Sequence, residues 1–329
     1  MNMDFKNLVF SGGGVLGIAY LGLLDSLYQR NLMDGIKRVA GTSAGAITAC
    51  LTSFNLPFPE LKAMVNSLDY TNIPAKDSAA MPRLSSPFLK AEFERLFDNF
   101  DCVYRLIKQF GWYSSNYFYN WIKSQIATQF DATQKSPPYT FADFQDPYLH
   151  KDRRPFKDLY MIGTDVTNGT SSVFSYDSTP NMEVAEAVRI SMSIPLFFEA
   201  VRTNGEAASP RTSPRIYSDG GLLYTYPINL FDKEDALTHT LGSLIQSERP
   251  PTPINNIVDF IASIISCATS IQYNIYKSNP DHLARTIEIN TGEVSTMDFN
   301  IKTDDDTYNY LYNQGYTAAE NFFNNYLQQ

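Results

Sequence analysis

Three short stretches carry the residue types best suited to chemistry. The first is Gly41-Thr42-Ser43-Ala44-Gly45, a G-x-S-x-G array lying directly between an apolar strand pattern and a helical pattern. A sharp strand-to-helix turn holds such a serine in a strained backbone position, with its hydroxyl standing above the carboxyl edge of the sheet. Bulky residues at 41 and 45 would collide with the neighbouring strand and helix. The chemistry on offer is nucleophilic attack on a carbonyl. The second stretch is "SGGGVLG", in which Gly12, Gly14 and Gly17 satisfy G-x-G-x-x-G and Gly13 adds a further open backbone position. Glycines let a backbone approach a ligand closely, and the N-terminus of the following helix offers unpaired amides and a positive dipole end. A dinucleotide pyrophosphate, a phosphate ester or the oxyanion of a reaction intermediate would all fit there. The third stretch is Asp219-Gly220-Gly221, a carboxylate at a strand end followed by two glycines that let the chain turn close to a neighbour. On its own, Asp-Gly reads as an ordinary turn.

Taken together, these stretches discriminate where each alone does not. A dinucleotide site wants an acidic residue about twenty positions beyond the glycine loop, at the end of the second strand. Lys37 and Arg38 lie near that place, and the strand ends in Gly41-Thr42-Ser43. A dinucleotide-binding oxidoreductase is therefore a poor fit. A nucleophile beside backbone donors is acyl-transfer equipment, with the amides around Gly13 and Gly14 holding the oxyanion. The serine needs a base, and the usual chain order places an acid and then a histidine downstream. His239 and His282 are downstream, but neither sits at a strand-to-loop junction with small neighbours. They read as surface residues; Asp219 is the notable candidate, although alone it reads as an ordinary Asp-Gly turn.

Composition narrows the partners. The chain has 26 basic and 35 acidic residues and a net charge of −9, against the basic face that nucleic-acid phosphates require. Cys50, Cys102 and Cys267 are scattered and odd in number, as are His150, His239 and His282. Neither a disulfide framework nor metal-ligand spacing is present, so no metal and no cofactor are expected. The start "MNMDFKNLVF" shows no signal peptide. The expected location is the cytoplasm with peripheral membrane contact, export without a signal peptide staying open. Ile254–Ile271 is apolar but interrupted by Asp259 and two asparagines, short of a spanning helix. It reads as a core helix.

The elements that position these residues follow from periodicity. Leu8–Phe10 and Arg38–Gly41 read as strands, and Val15–Gln29, Ala44–Phe54 and Glu60–Leu68 as helices. This βαβα opening favours a three-layer α/β architecture, a mostly parallel central sheet with helices on both faces. Residues 71–90 read as a loop. Ala91–Gln109 and Asn116–Phe130 read as helices rich in aromatics from Phe93 to Trp121, fit for core packing or for an apolar lid or acyl-chain wall. Thr140 and Asp143 have capping-box spacing. Asp158–Asp165, Ser172–Tyr176, Ile216–Ser218 and Arg285–Asn290 read as strands, and Pro180–Ser191 and Asp305–Leu327 as helices. Gly205–Pro214 reads as a polar loop. With no repeats and no clear linker, 1–329 is expected to be one domain, with the motifs in about 5–235 and helices and a late strand in 236–329.

With these residues in place, the chain resembles the patatin-like phospholipases, which carry a glycine-rich oxyanion loop, a G-x-S-x-G elbow and D-G-[GA] in this order. Here they are "GGGVLG" (12–17), "GTSAG" (41–45) and "DGG" (219–221), and weaker similarity extends over residues 5 to 325. The resemblance implies a Ser–Asp dyad without histidine. Ser43 would be the nucleophile and Asp219 its base, with Gly12, Gly13 and Gly14 forming the oxyanion hole. Gly17, Gly41, Gly45, Gly220 and Gly221 complete the motifs. The implied activity is hydrolysis of acyl esters of glycerolipids at a membrane or droplet surface. Two departures stand out: Ser11 and Leu16 replace an acid and a cation frequent in the family's first motif, and Tyr224-Thr225 stand where many members have an Asn pair. Without that cation, a phospholipid preference loses support and neutral lipids gain as candidate substrates. A patatin fold kept as a catalytically silent interaction protein is the alternative.

Overall fold

The computed structural model describes residues 4–73, 100–203, 214–248, 254 and 257–326. Five strands form the parallel part of one sheet: β1 (Asn7–Phe10), β2 (Arg38–Thr42), β4 (Asp158–Asp165), β9 (Thr240–Gln246) and β10 (Thr286–Asn290). Their order is β10-β9-β1-β2-β4, so the late strands β9 and β10 lie in the same sheet as the motif-bearing ones. β5 (Thr170–Phe174) and β8 (Arg215–Asp219) pair antiparallel with β4, and β7 (Val201–Thr203) pairs antiparallel with β8. A separate parallel pair, β3 (Gly111–Tyr113) and β6 (Leu196–Phe198), has no counterpart in the sequence expectations.

Side chains on successive strand residues point to opposite faces, and both faces of this sheet are covered. Leu8, Phe10, Val39 and Leu241 join one apolar cluster, while Val9, Ala40 and Leu244 join a second with Tyr226, Phe231 and Tyr276. Burial on both faces explains why the parallel strands read as short continuous apolar runs. On the first face the helix Ala19–Gln29 packs against the terminal helix Asp306–Tyr326 at two glycines. A Cβ on Gly22 would lie 1.8 Å from the Tyr312 carbonyl oxygen, and one on Gly315 1.8 Å from that of Ala19. The two backbones therefore touch directly.

Most expected elements appear within a few residues of their expected bounds, and Thr140 and Asp143 form the capping box. Three differ. The segment expected to be helical from Val15 starts as a 3-10 turn, Gly14–Ile18, and becomes α-helical at Ala19. The helix expected from Pro180 begins at Val184. The apolar segment expected in the core forms the helix Ile257–Lys277, which lies on the surface. Phe260, Ile264, Ile271 and Ile275 are 50–64% exposed. These positions, spaced four, seven and four residues apart, share one helical face, whereas Tyr276 turns into the second core cluster. Apolar content alone does not say which face a neighbour covers. The expected loop at 71–90, the first part of the helix from Ala91, and residues 205–213 lie mostly or wholly outside the described residues. So do Phe93 and Phe97. Of the aromatics that follow, Trp112, Phe118 and Trp121 are buried and Phe110 is exposed.

Candidate active site

The three motifs converge because of how the strands meet. Met161 and Ile162 pair with both β2 and β5, so those strands flank β4 on opposite edges. Gly163 to Asp165 pair with both β5 and β8, which places β8 on the β2 edge, beyond the end of β2. β2 runs parallel to β4 and ends at Thr42 opposite Ile162; β8 runs the other way and ends at Asp219 opposite Gly163. The two strands thus meet head to head, and Ser43 and Asp219 come together at their junction. The Ser43 side chain lies beside the Asp219 carboxylate and favours its charged form.

The elbow has the backbone its sequence demands. Ser43 has φ 54° and ψ −120°, a left-handed φ that costs a non-glycine residue energy. Its flanking glycines fill space no side chain could share: a Cβ on Gly41 would sit 2.1 Å from the Gly45 carbonyl oxygen, and one on Gly45 2.4 Å from that of Phe10. The Ser43 amide donates to Ser191 Oγ at 2.9 Å, and that hydroxyl donates to the Ile162 carbonyl at 2.6 Å. Ser191, at the end of the helix Val184–Ser191, pins the strained turn to β4. Sequence reading missed it, because nothing local distinguishes it from any other helical serine.

Asp219 is equally well held. Its amide donates to the Ser193 carbonyl at 2.8 Å, and its carbonyl accepts from Thr164 Oγ1 at 2.9 Å. Its carboxylate also accepts the Gly221 amide at 2.6 Å. A Cβ on Gly220 would meet the Ile162 carbonyl oxygen at 2.4 Å. The carboxylate is buried, and burial pushes its pKa up to about 7, against the opposing effect of the Ser43 side chain and the Gly221 amide. A buried carboxyl poised near neutrality beside a serine is suited to proton transfer.

The glycine loop lies against this pair. A Cβ on Gly12 would be 3.5 Å from the Ser43 Cβ. The Gly12 amide, however, donates to the Thr225 carbonyl at 2.9 Å, so that donor is already engaged. Gly13 precedes the 3-10 turn, and Gly14, with φ +57°, opens it. Gly17 lies one turn along, where a Cβ would be 3.0 Å from that of Ala44. The two departures from the family pattern acquire structural roles. Ser11 Oγ accepts the Ile245 amide at 3.0 Å and bonds the Tyr20 hydroxyl. Leu16 is fully buried. Thr225 Oγ1 donates to the Gly221 carbonyl, and its amide donates to Gln272 Oε1. Gln272 Nε2 in turn donates to the Gly221 carbonyl at 3.1 Å, tying the surface helix Ile257–Lys277 to the Asp-Gly-Gly turn.

The histidines stand apart from the pair. His150 is buried between the Arg154 and Asp143 carbonyls, and His239 pairs with Asp235. His282 lines the same wide cleft as Ser43 but packs against Tyr276. Among the described residues no group of three or more His, Cys, Asp or Glu is placed to hold a metal ion, and no helix is long and apolar enough to cross a membrane. Two cavities reach Ser43 and Gly14: a cleft of about 760 Å³ under the helix Ile257–Lys277, and a slot of about 70 Å³.

A mostly parallel sheet with helices and these motifs at its strand ends defines a lipid hydrolase class. The chain belongs to the patatin-like phospholipase family, whose sequence profile matches residues 8–232. It is similar to the uncharacterized protein R571 of Acanthamoeba polyphaga mimivirus, 26% identical over 91% of this chain and 87% of that one. It is also similar to the uncharacterized protein YqhO of Bacillus subtilis, 30% identical over 78% of this chain and 77% of that one. Among solved structures it resembles VipD from Legionella pneumophila, with a TM-score of 0.60 and 20% identity, covering 98% of this chain and 67% of VipD.

Proposed function

We propose that this protein hydrolyses acyl esters of glycerolipids through a Ser43–Asp219 dyad, with residues 1–329 acting as one unit. The observation that carries the reading is the placement of Ser43 beside a buried carboxylate at the junction of β2 and β8. Asp219 takes the Ser43 proton as Oγ attacks the ester carbonyl, and the Gly13 and Gly14 amides receive the oxyanion. As the tetrahedral intermediate collapses, the C–O bond to the alcohol breaks and Asp219 returns its proton to that alcohol. Water, deprotonated by Asp219, then attacks the acyl-serine, and the fatty acid leaves as Ser43 regains its proton. No histidine and no metal enters these steps.

The lipid would be reached from a surface. The buried Phe118 and Trp121 cannot supply the contact expected of the aromatic region. The exposed face of the helix Ile257–Lys277 can, because that helix also roofs the cleft leading to Ser43. With a net charge of −9, apolar insertion rather than attraction to anionic lipid would drive association. The test is a fluorophosphonate probe with a panel of phospholipids, lysolipids and triglycerides. Labelling and hydrolysis that both disappear in Ser43→Ala are expected. A folded wild-type protein that neither labels nor hydrolyses any lipid would make this a silent interaction protein.

A further inference from the structure

We infer that the slot beneath Ser43 is a subsite for one acyl chain of medium length. This rests on the reading of Ser43 as an acyl-transfer nucleophile. The two cavities that meet at Ser43 differ in kind. The wide cleft carries polar groups and the Glu248 carboxylate. The slot is lined without a charged side chain. Its wall follows one face of the helix Ala44–Ser53, through Ser43, Ala44, Ile47, Thr48, Leu51 and Thr52. The Thr48 hydroxyl is satisfied by the Ala44 carbonyl at 3.0 Å. Leu21 and Leu24 line it from the preceding helix, and Leu61 and Val65 from the helix Phe58–Asn66.

This geometry fits a chain that enters with its carbonyl at Ser43. The carbonyl then lies between the Ser43 hydroxyl and the Gly13 and Gly14 amides, the methylenes descend along the helix, and the alcohol part remains in the wide cleft. The wall from Ser43 to Thr52 rises about 13 Å at 1.5 Å per residue. That span places the preferred chain at about six to ten carbons.

The full chain assayed with p-nitrophenyl esters from acetyl to palmitoyl reads this directly. kcat/KM is expected to rise about fourfold per methylene, then to stop rising between about six and ten carbons. Ile47 faces the slot about midway along its wall. Ile47→Phe should lower the octanoyl-to-acetyl ratio of kcat/KM at least about tenfold, and Ile47→Ala should move the break to longer chains. A rise that continues to palmitoyl, or a ratio and break unmoved in both variants, overturns the slot. Calorimetric titration of methyl octanoate into Ser43→Ala reads the slot without chemistry. Binding that is lost on adding Ile47→Phe supports it, and absence of binding to Ser43→Ala overturns it. If methyl octanoate binds while the wild type cleaves no ester of any length, the nucleophile reading fails and the slot stands.

Discussion

Replacing Asp219 by asparagine keeps the shape of the side chain and removes both the base and a buried charge. Burial raises the Asp219 pKa from 3.8 to about 7, which at 1.36 kcal/mol per pKa unit is about 4 kcal/mol held against the ionised form. In the unfolded chain this carboxyl releases its proton near pH 4; in the folded chain it keeps it until about pH 7. The folded state therefore binds more protons than the unfolded state between those values. Its contribution to stability is fully present below about pH 4 and is lost as pH rises through about 7. Catalysis asks for the opposite form, since only the carboxylate accepts the Ser43 proton. The kcat/KM of wild type on a short p-nitrophenyl ester should rise along an acid limb centred near pH 7, across the window in which Asp219 becomes destabilising. Asp219→Asn should lose hydrolysis to near the Ser43→Ala level, and the double variant should lose little more, because the two groups act as a unit. Thermal melts should show Asp219→Asn more stable than wild type at pH 8, with the difference shrinking toward pH 4. His282→Gln, which alters the histidine lining the same cleft, should leave the acid limb in place. A limb centred near pH 4, a limb abolished by His282→Gln, or an Asp219→Asn protein less stable than wild type at pH 8 would each refute the reasoning.

Gly13→Val should lower turnover about a hundredfold with little change in KM, since a Cβ there meets Ile245 Cδ1 at 2.9 Å and valine adds two further methyls beside the loop amides; steady-state kinetics showing a raised KM with turnover intact would make the loop a ground-state binding element. Gly22→Ala should destabilise by about 1–3 kcal/mol or more, because the added Cβ meets the backbone of the terminal helix at 1.8 Å; an unchanged denaturant midpoint would contradict the close helix contact. Ile264→Ser with Ile271→Ser should weaken sedimentation with neutral phosphatidylcholine vesicles while leaving cleavage of a soluble short ester within about twofold, since these side chains are exposed and each buries roughly 1.5–3 kcal/mol of apolar surface on insertion. Vesicle binding by wild type that vanishes at moderate salt would show an electrostatic attachment instead.

What the sequence determined by itself is local. The elbow at 41–45, the glycine loop at 12–17, the capping box at Thr140 and Asp143, and the apolar strand runs all rest on residues adjacent in the chain. Their neighbours, turn angles and periodicity are written within a few positions, so they could be read directly. The order of the three motifs carried the family resemblance, and that resemblance implied Ser43, Asp219 and the loop as one group. The tertiary structure decided how they meet. Nothing in "IYSDGG" states that β8 runs antiparallel to β4 and ends against the end of β2, yet that reversal brings Asp219 to Ser43. Ser191 supports the elbow from 148 residues away and Gln272 holds the Asp-Gly-Gly turn from 51; such partners are set by packing, which local sequence does not encode. The same holds for the helix Ile257–Lys277. Its apolar residues record that one face avoids water, but whether protein or another apolar phase covers that face depends on what the rest of the chain leaves beside it. Here the sheet's second face is filled by Tyr226, Ile228 and Phe231, joined by Tyr276 from the helix itself, and Phe260, Ile264, Ile271 and Ile275 stay outside the core.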